Sequence, residues 1–264
     1  MSEKTLKPSD SQEGITESEK RSFFRKWFRW DVITGIATLI MLGIAIWALI
    51  PPTPLEAMKE NIKKNCGIVK TTFDPQLLAE EEDSCGYNLL LAQLQRSTLD
   101  YCSYWEMWEG AEPFAKHSNK SRKEIALILS EEFNRYDKML QSAESIREAI
   151  RAILQLEQNI DVSNRTNISA ARIDNLIEYT KLKSESFHAY QTKALSYINK
   201  ANNTAEGSLD EKKEIKKGLQ ELDKIKEDIN AYKLDNELIE YAIECNNSFM
   251  ISRRHYMNKK HREK

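Results

Sequence analysis

From Val32 to Ile50 the chain reads VITGIATLIMLGIAIWALI, a run without a single charge. At a rise of about 1.5 Å per residue, this run matches the roughly 30 Å hydrocarbon thickness of a bilayer. Helices buried in soluble cores rarely stay apolar on every face for so long. A cleaved signal peptide is the other reading, but the run is long for one, and PPTPLEA beyond it lacks a small-x-small cleavage site. The sequence therefore predicts a transmembrane signal-anchor helix over 31–50.

Charge sets the expected orientation. Arg21, Arg25, Lys26 and Arg29 crowd the N-terminal flank, whereas the first basic residue after the run is Lys59. Positive residues stay on the cytoplasmic side, so the N-terminus is expected inside and the remainder outside, periplasmic if the cell is bacterial. RSFFRKWFRW alternates basic and aromatic residues, which suits a headgroup boundary, and Trp47 would mark the opposite one. Residues 1–20 hold too few apolar side chains to bury a core. Segment 1–30 thus reads as a disordered cytoplasmic tail, too short for a signalling output domain.

Beyond Pro51, Pro52 and Pro54 the pattern is helical throughout. Only eight glycines and six prolines occur in 264 residues, and no apolar alternation of strand type persists. A short helix is expected over about 55–66, and Asp74-Pro75 reads as a cap with proline at the first helical position. Leu90, Leu94, Tyr101, Trp105 and Trp108 then form a stripe closed by Gly110 and Pro113. Ser121 with Glu124 is a capping box, as is Ser208 with Glu211. Between them run two stripes: Leu129, Phe133, Tyr136, Leu140, Ala143, Ile150 and Ile153, then Ile173, Leu176, Thr180, Phe187, Tyr190, Ala194 and Ile198. In the last helix Ile215, Leu222, Ile229, Asn236, Ile243 and Met250 recur every seven residues, with Ile225, Tyr232 and Ile239 between them. That is a heptad seam in which Asn236 could fix register, and it makes 209–256 a candidate for homo-oligomer formation.

The expected fold is all-α: a single transmembrane helix, then an elongated antiparallel bundle with coiled-coil character. A membrane-proximal helical segment would occupy 51–120 and a long three-helix bundle 121–264.

All four cysteines, Cys66, Cys85, Cys102 and Cys245, follow the apolar run. An even number on an exported side favours disulfides. In an up-down order the end of the last helix lies beside the start of the first long one. Cys245 would then be nearer Cys85, and Cys66 would reach Cys102 if the chain reverses at Cys85-Gly86. The acidic run Glu80 to Asp83 would face the basic tail SRRHYMNKKHREK by the same alignment. Sequons of the N-x-[ST] type stand at Asn119, Asn164, Asn167, Asn202 and Asn246. In a eukaryotic lumen these accept glycans, although loops collect such residues anyway and Asn246 falls on the predicted seam.

Signatures of chemistry are missing from the sequence. His117, His188, His255 and His261 have no ligand spacing, and no nucleophile elbow, phosphate loop or dinucleotide fingerprint occurs. No cofactor or metal is expected. The near balance of charge, −2 overall, argues against a nucleic-acid binder. The segment YCSYWEMW offers Tyr101, Tyr104, Trp105 and Trp108 either as core or as a partner-binding patch. The expectation is a noncatalytic scaffold of an envelope assembly (secretion, conjugation or division), whose partners are membrane lipid and other envelope proteins. The alternative is a type II glycoprotein of a eukaryote or virus whose helical ectodomain binds a ligand.

Overall fold

The computed structural model describes residues 34–42, 51–80, 86–159 and 170–262. The expected tail, most of the apolar run, Cys85 with the acidic residues 81–83, and the sequons Asn164 and Asn167 lie outside these residues. The chain divides into two compact units, Met1–Pro52 and Thr53–Lys264.

In the first unit, residues 34–42 are helical, and Thr38 returns its hydroxyl to the Thr34 carbonyl at 2.8 Å. This back-bond satisfies a polar side chain within its own helix. No helix among the described residues is long and apolar enough to cross a membrane.

The second unit is built from helices α1 (Pro54–Thr72), α2 (Pro75–Glu80), α3 (Tyr87–Gly110), α4 (Arg122–Asn159), α5 (Ala170–Asn202), α6 (Leu209–Asp223) and α7 (Ile229–Arg262). Single 3₁₀ segments, Phe114–Asn119 and Lys224–Glu227, precede α4 and α7. No strand occurs among the described residues. The anticipated caps are formed. Leu77 N–H donates to Asp74 at 3.1 Å, Glu124 N–H to the Ser121 hydroxyl at 3.4 Å, and Glu211 N–H to the Ser208 hydroxyl at 3.2 Å. Another capping box, Thr53 with Glu56, starts α1. That helix runs to Thr72, well past the expected end near residue 66.

α3 is the central element. Tyr87, Leu91, Leu94, Thr98, Tyr101, Trp105 and Trp108 alternate at spacings of four and three, and all are buried. Its neighbours α1, α4 and α7 run antiparallel to it. Lys59 of α1 pairs with Glu109 at 2.7 Å, Trp108 meets Tyr136 of α4 with centroids 5.0 Å apart, and Arg253 of α7 donates to Asn88 at 2.6 Å. The last contact puts the end of the final helix beside the start of α3, as the up-down order requires. α5 turns back along α4, and α6 back along α5. There a Cβ on Gly218 would lie 2.9 Å from the Ala194 carbonyl, so the two helices touch backbone to backbone.

α1 and α3 share one core with α4 and α7. One expectation is corrected: the final heptad helix is not continuous. The chain leaves helical geometry at Asp228, with ψ at 96°, and the Asp228 carboxylate then caps α7 by accepting from Asn230 N–H at 3.0 Å. The core stripe of α7 is Ala231, Asp235, Leu238, Ala242, Cys245 and Phe249, flanked by Tyr232 and Ile239. Asn236, Ile243 and Met250 of the expected seam stand at its margin, half-buried, and Ile229 is exposed.

Candidate functional site

The most unusual chemistry lies where α3, α5 and α7 meet. Lys183 and Asp235 have side chains 6% and 5% exposed and form an ion pair. Tyr101, also buried, donates its hydroxyl to the same Asp235 oxygen and accepts from the Lys183 ammonium at 3.2 Å. One carboxylate oxygen is thus shared by an ammonium and a phenol. Aromatic rings close the site: Lys183 Nζ lies 5.6 Å from the Tyr101 ring centre and 5.5 Å from that of Tyr136. Phe187 stacks on Tyr136 at 4.0 Å, and Trp108 stands edge-on to Tyr136. Burial pulls the Lys183 ammonium down from its ordinary range, opposed by Asp235. Burial also pushes the Tyr101 phenol well up, reinforced by the Asp235 charge, and it pushes Tyr136 up as well. The phenol therefore stays protonated as a donor. With its charges mutually satisfied, the cluster can fix the register of three helices.

A polar ladder continues along α3 and α7. Gln95 donates to Asn246 at 2.9 Å and accepts from Asp74 N–H at 2.9 Å. The Tyr87 hydroxyl lies 2.8 Å from Glu157 of α4 and 3.1 Å from the Phe249 carbonyl, so its one proton serves two acceptors.

Two grooves flank α5. One, of about 580 Å³, runs between the start of α4 and the end of α5 and is lined by Ile125, Leu129, Phe133, Leu195 and Ile198. The other, of about 430 Å³, lies between α5 and α7 and is bordered by Lys183, Ser186 and Asp228. There the Ser186 hydroxyl donates to Asp228 at 3.0 Å. Among the described residues no group of three or more His, Cys, Asp or Glu side chains stands together to hold a metal.

The residues singled out in the sequence are dispersed. Cys66 and Cys102 form a disulfide joining α1 to α3, with Cα atoms 5.4 Å apart. Cys245 is fully buried in α7. Asn119 and Asn202 are exposed at the ends of their helices, whereas Asn246 is buried and engaged by Gln95. The aromatic segment is not a surface patch. Tyr101, Trp105 and Trp108 are core, and Tyr104 is half-buried beneath Lys138, 5.7 Å from its ring centre. Sequence reasoning passed over Lys183 and Asp235. The available signal was Asp235 itself, seven residues before Ala242 on a stripe of small and apolar side chains.

No family model matches the chain, and no curated protein and no solved structure is similar to it.

Proposed function

We propose that the chain is a noncatalytic, single-pass membrane protein of an envelope assembly, with its N-terminus cytoplasmic and its helical bundle extracytoplasmic. The observation that carries this reading is the uncharged run from Val32 to Ile50, flanked by Arg21, Arg25, Lys26 and Arg29 on one side only. The Cys66–Cys102 bond, downstream of that run, suits an oxidising compartment. In the bundle the buried Lys183, Asp235 and Tyr101 are committed to one another. Such a domain suits holding partners at a fixed place rather than turning over a substrate. The apolar face that recommends 209–256 for self-association is largely used inside the chain, so other envelope proteins are the preferred partners.

The glycoprotein reading draws on the exposed sequons Asn119 and Asn202. Asn246 weighs against it, since a glycan there would have to displace a buried hydrogen bond to Gln95. The test is crosslinking of the full-length protein in its native membrane, followed by purification and mass spectrometry. Repeated recovery of a few envelope proteins, bonded to the bundle, is the expected result. Recovery of an extracellular ligand together with glycosylated peptides would replace this reading with the second.

A further inference from the structure

The larger groove, between the start of α4 and the end of α5, has a direction. At one end Arg122 donates to the carbonyls of Ala201 at 3.3 Å and Thr204 at 3.2 Å. At the other, Phe133 stands edge-on to Phe187 with ring centres 5.6 Å apart. Between these crossings the two helices run antiparallel, and Ile215 of α6, itself buried, completes the lining.

The charge in the lining is gathered at the first end. It consists of Arg122 and Lys123, and no acidic side chain lines the groove. Arg122 is taken up by Glu211, whereas Lys123 is exposed and makes no ion pair with a described residue. Further along, Ile125, Ile198, Leu129 and Leu195 make the walls apolar, with Ser130 and Gln191 the only polar side chains there. Leu195 is 39% exposed, so an apolar wall of the groove still meets solvent.

We infer that this groove binds a free long-chain carboxylate, its head at Lys123 and its methyl end at Phe133. Three observations select that occupant. The volume of about 580 Å³ falls in the range of pockets that take one small molecule, roughly 300–1,000 Å³. From Lys123 to Phe133 the helix rises about 15 Å. With C–C bonds of about 1.5 Å, an extended zigzag of twelve carbons is about 14 Å long. A cationic end on an otherwise apolar channel complements a ligand with one anionic end. Burial of the chain supplies the affinity, up to about fourfold for each methylene that enters, while the exposed lysine mainly sets the direction. A partner protein suits the groove less well, because its lining is far smaller than the roughly 800 Å² a side that a stable interface buries. Every lining residue belongs to the second compact unit, so the inference stands apart from the anchor proposed above.

The experiment uses the full-length protein in phosphatidylcholine nanodiscs and a dodecanoate probe carrying a diazirine at its methyl end. After illumination, adducts are mapped by mass spectrometry of the digest. The expected result is labelling on the peptides that hold Phe133 and Leu195, suppressed by excess dodecanoate. Labelling should fall at least fivefold for the methyl ester of the probe and for Lys123→Glu. It should fall at least tenfold for Ala126→Trp, which places a ring in the groove from an exposed position. Both substituted residues are exposed, so thermal melts should match the wild type; if Ala126→Trp melts low, Lys123→Glu decides alone. Equal labelling around the exposed Leu89 and Ile251, or labelling unchanged by Lys123→Glu, would overturn the site. Displacement by lysophosphatidylglycerol but not by dodecanoate would overturn the free acid as occupant and assign the groove to a membrane lipid.

Discussion

Lys183 of α5 and Asp235 of α7, 52 residues apart in sequence, neutralise each other inside the bundle with the Tyr101 hydroxyl on the same carboxylate oxygen. Removing one partner strands the other in a poorly solvated site. Asp235→Ala should cost about 3–5 kcal/mol in chemical denaturation. The double variant Lys183→Met with Asp235→Leu should recover most of that loss, because it removes both desolvation penalties. A cost below about 1 kcal/mol for the single variant would mean that water reaches the pair.

Two glycines inside helices should respond in opposite ways to the same substitution. Around Gly67 of α1 a Cβ meets nothing within 4 Å, so Gly67→Ala should stabilise by up to about 1 kcal/mol. At Gly218 it would meet the Ala194 carbonyl at 2.9 Å and Ile198 at 3.1 Å. Backbone cannot step aside, so Gly218→Ala should destabilise by about 1–3 kcal/mol despite the better helix propensity. Thermal melts of the two variants side by side decide the matter, and equal shifts would refute the close α5–α6 approach.

The Cys66–Cys102 bond closes a loop with a sequence separation of 36. On the chain-entropy account it stabilises by about 4 kcal/mol. Cys102→Ser, or reductant added to the wild type, should lower the melting temperature by a similar amount, and adding reductant to the variant should do little more. Peptide mapping without reduction should recover the two cysteines in one linked fragment.

Stability towards acid should depend on Glu211. The Arg122 guanidinium beside it, with the Gly207 N–H, holds its carboxyl below the ordinary value of 4.5. A carboxylate depressed in the folded state contributes stability above its ordinary value and loses it as pH falls through the folded one. Glu211→Gln should therefore melt below the wild type at neutral pH, with the gap narrowing as melts move from about pH 6 to pH 3. An unchanged gap would show that the pair contributes nothing through charge.

Local signals were legible in the sequence wherever a short-range rule applies. Asp74, Ser121 and Ser208 all cap as their spacing implies, and the stripe from Leu94 to Trp108 is core. The all-helical class followed from composition, whereas the Cys66–Cys102 pairing was one of three open connectivities and rested on an assumed up-down order. The last helix was misread for a physical reason. A search for large apolar residues at sevens selects Ile229, Ile243 and Met250, but a helix packed on several sides uses small residues where neighbours come closest. Ala231, Ala242 and Cys245 fill those places. Asp228 was invisible as a break because an aspartate inside a charged helix looks like surface until its carboxylate is seen capping Asn230. The Lys183–Asp235 pair was hidden likewise: each residue alone is ordinary on a helix with so many charges, and only tertiary packing brings them together.

The disulfide also determines how the bundle carries load. Tension entering at Thr53 runs along α1 only as far as Cys66, then crosses a covalent bond into α3 at Cys102. The remainder of α1, all of α2 and the first part of α3 lie inside the closed loop, off that covalent path. That stretch contributes Leu91, Leu94 and Thr98 to the core, so a pull along the covalent path does not extend the segment that carries them.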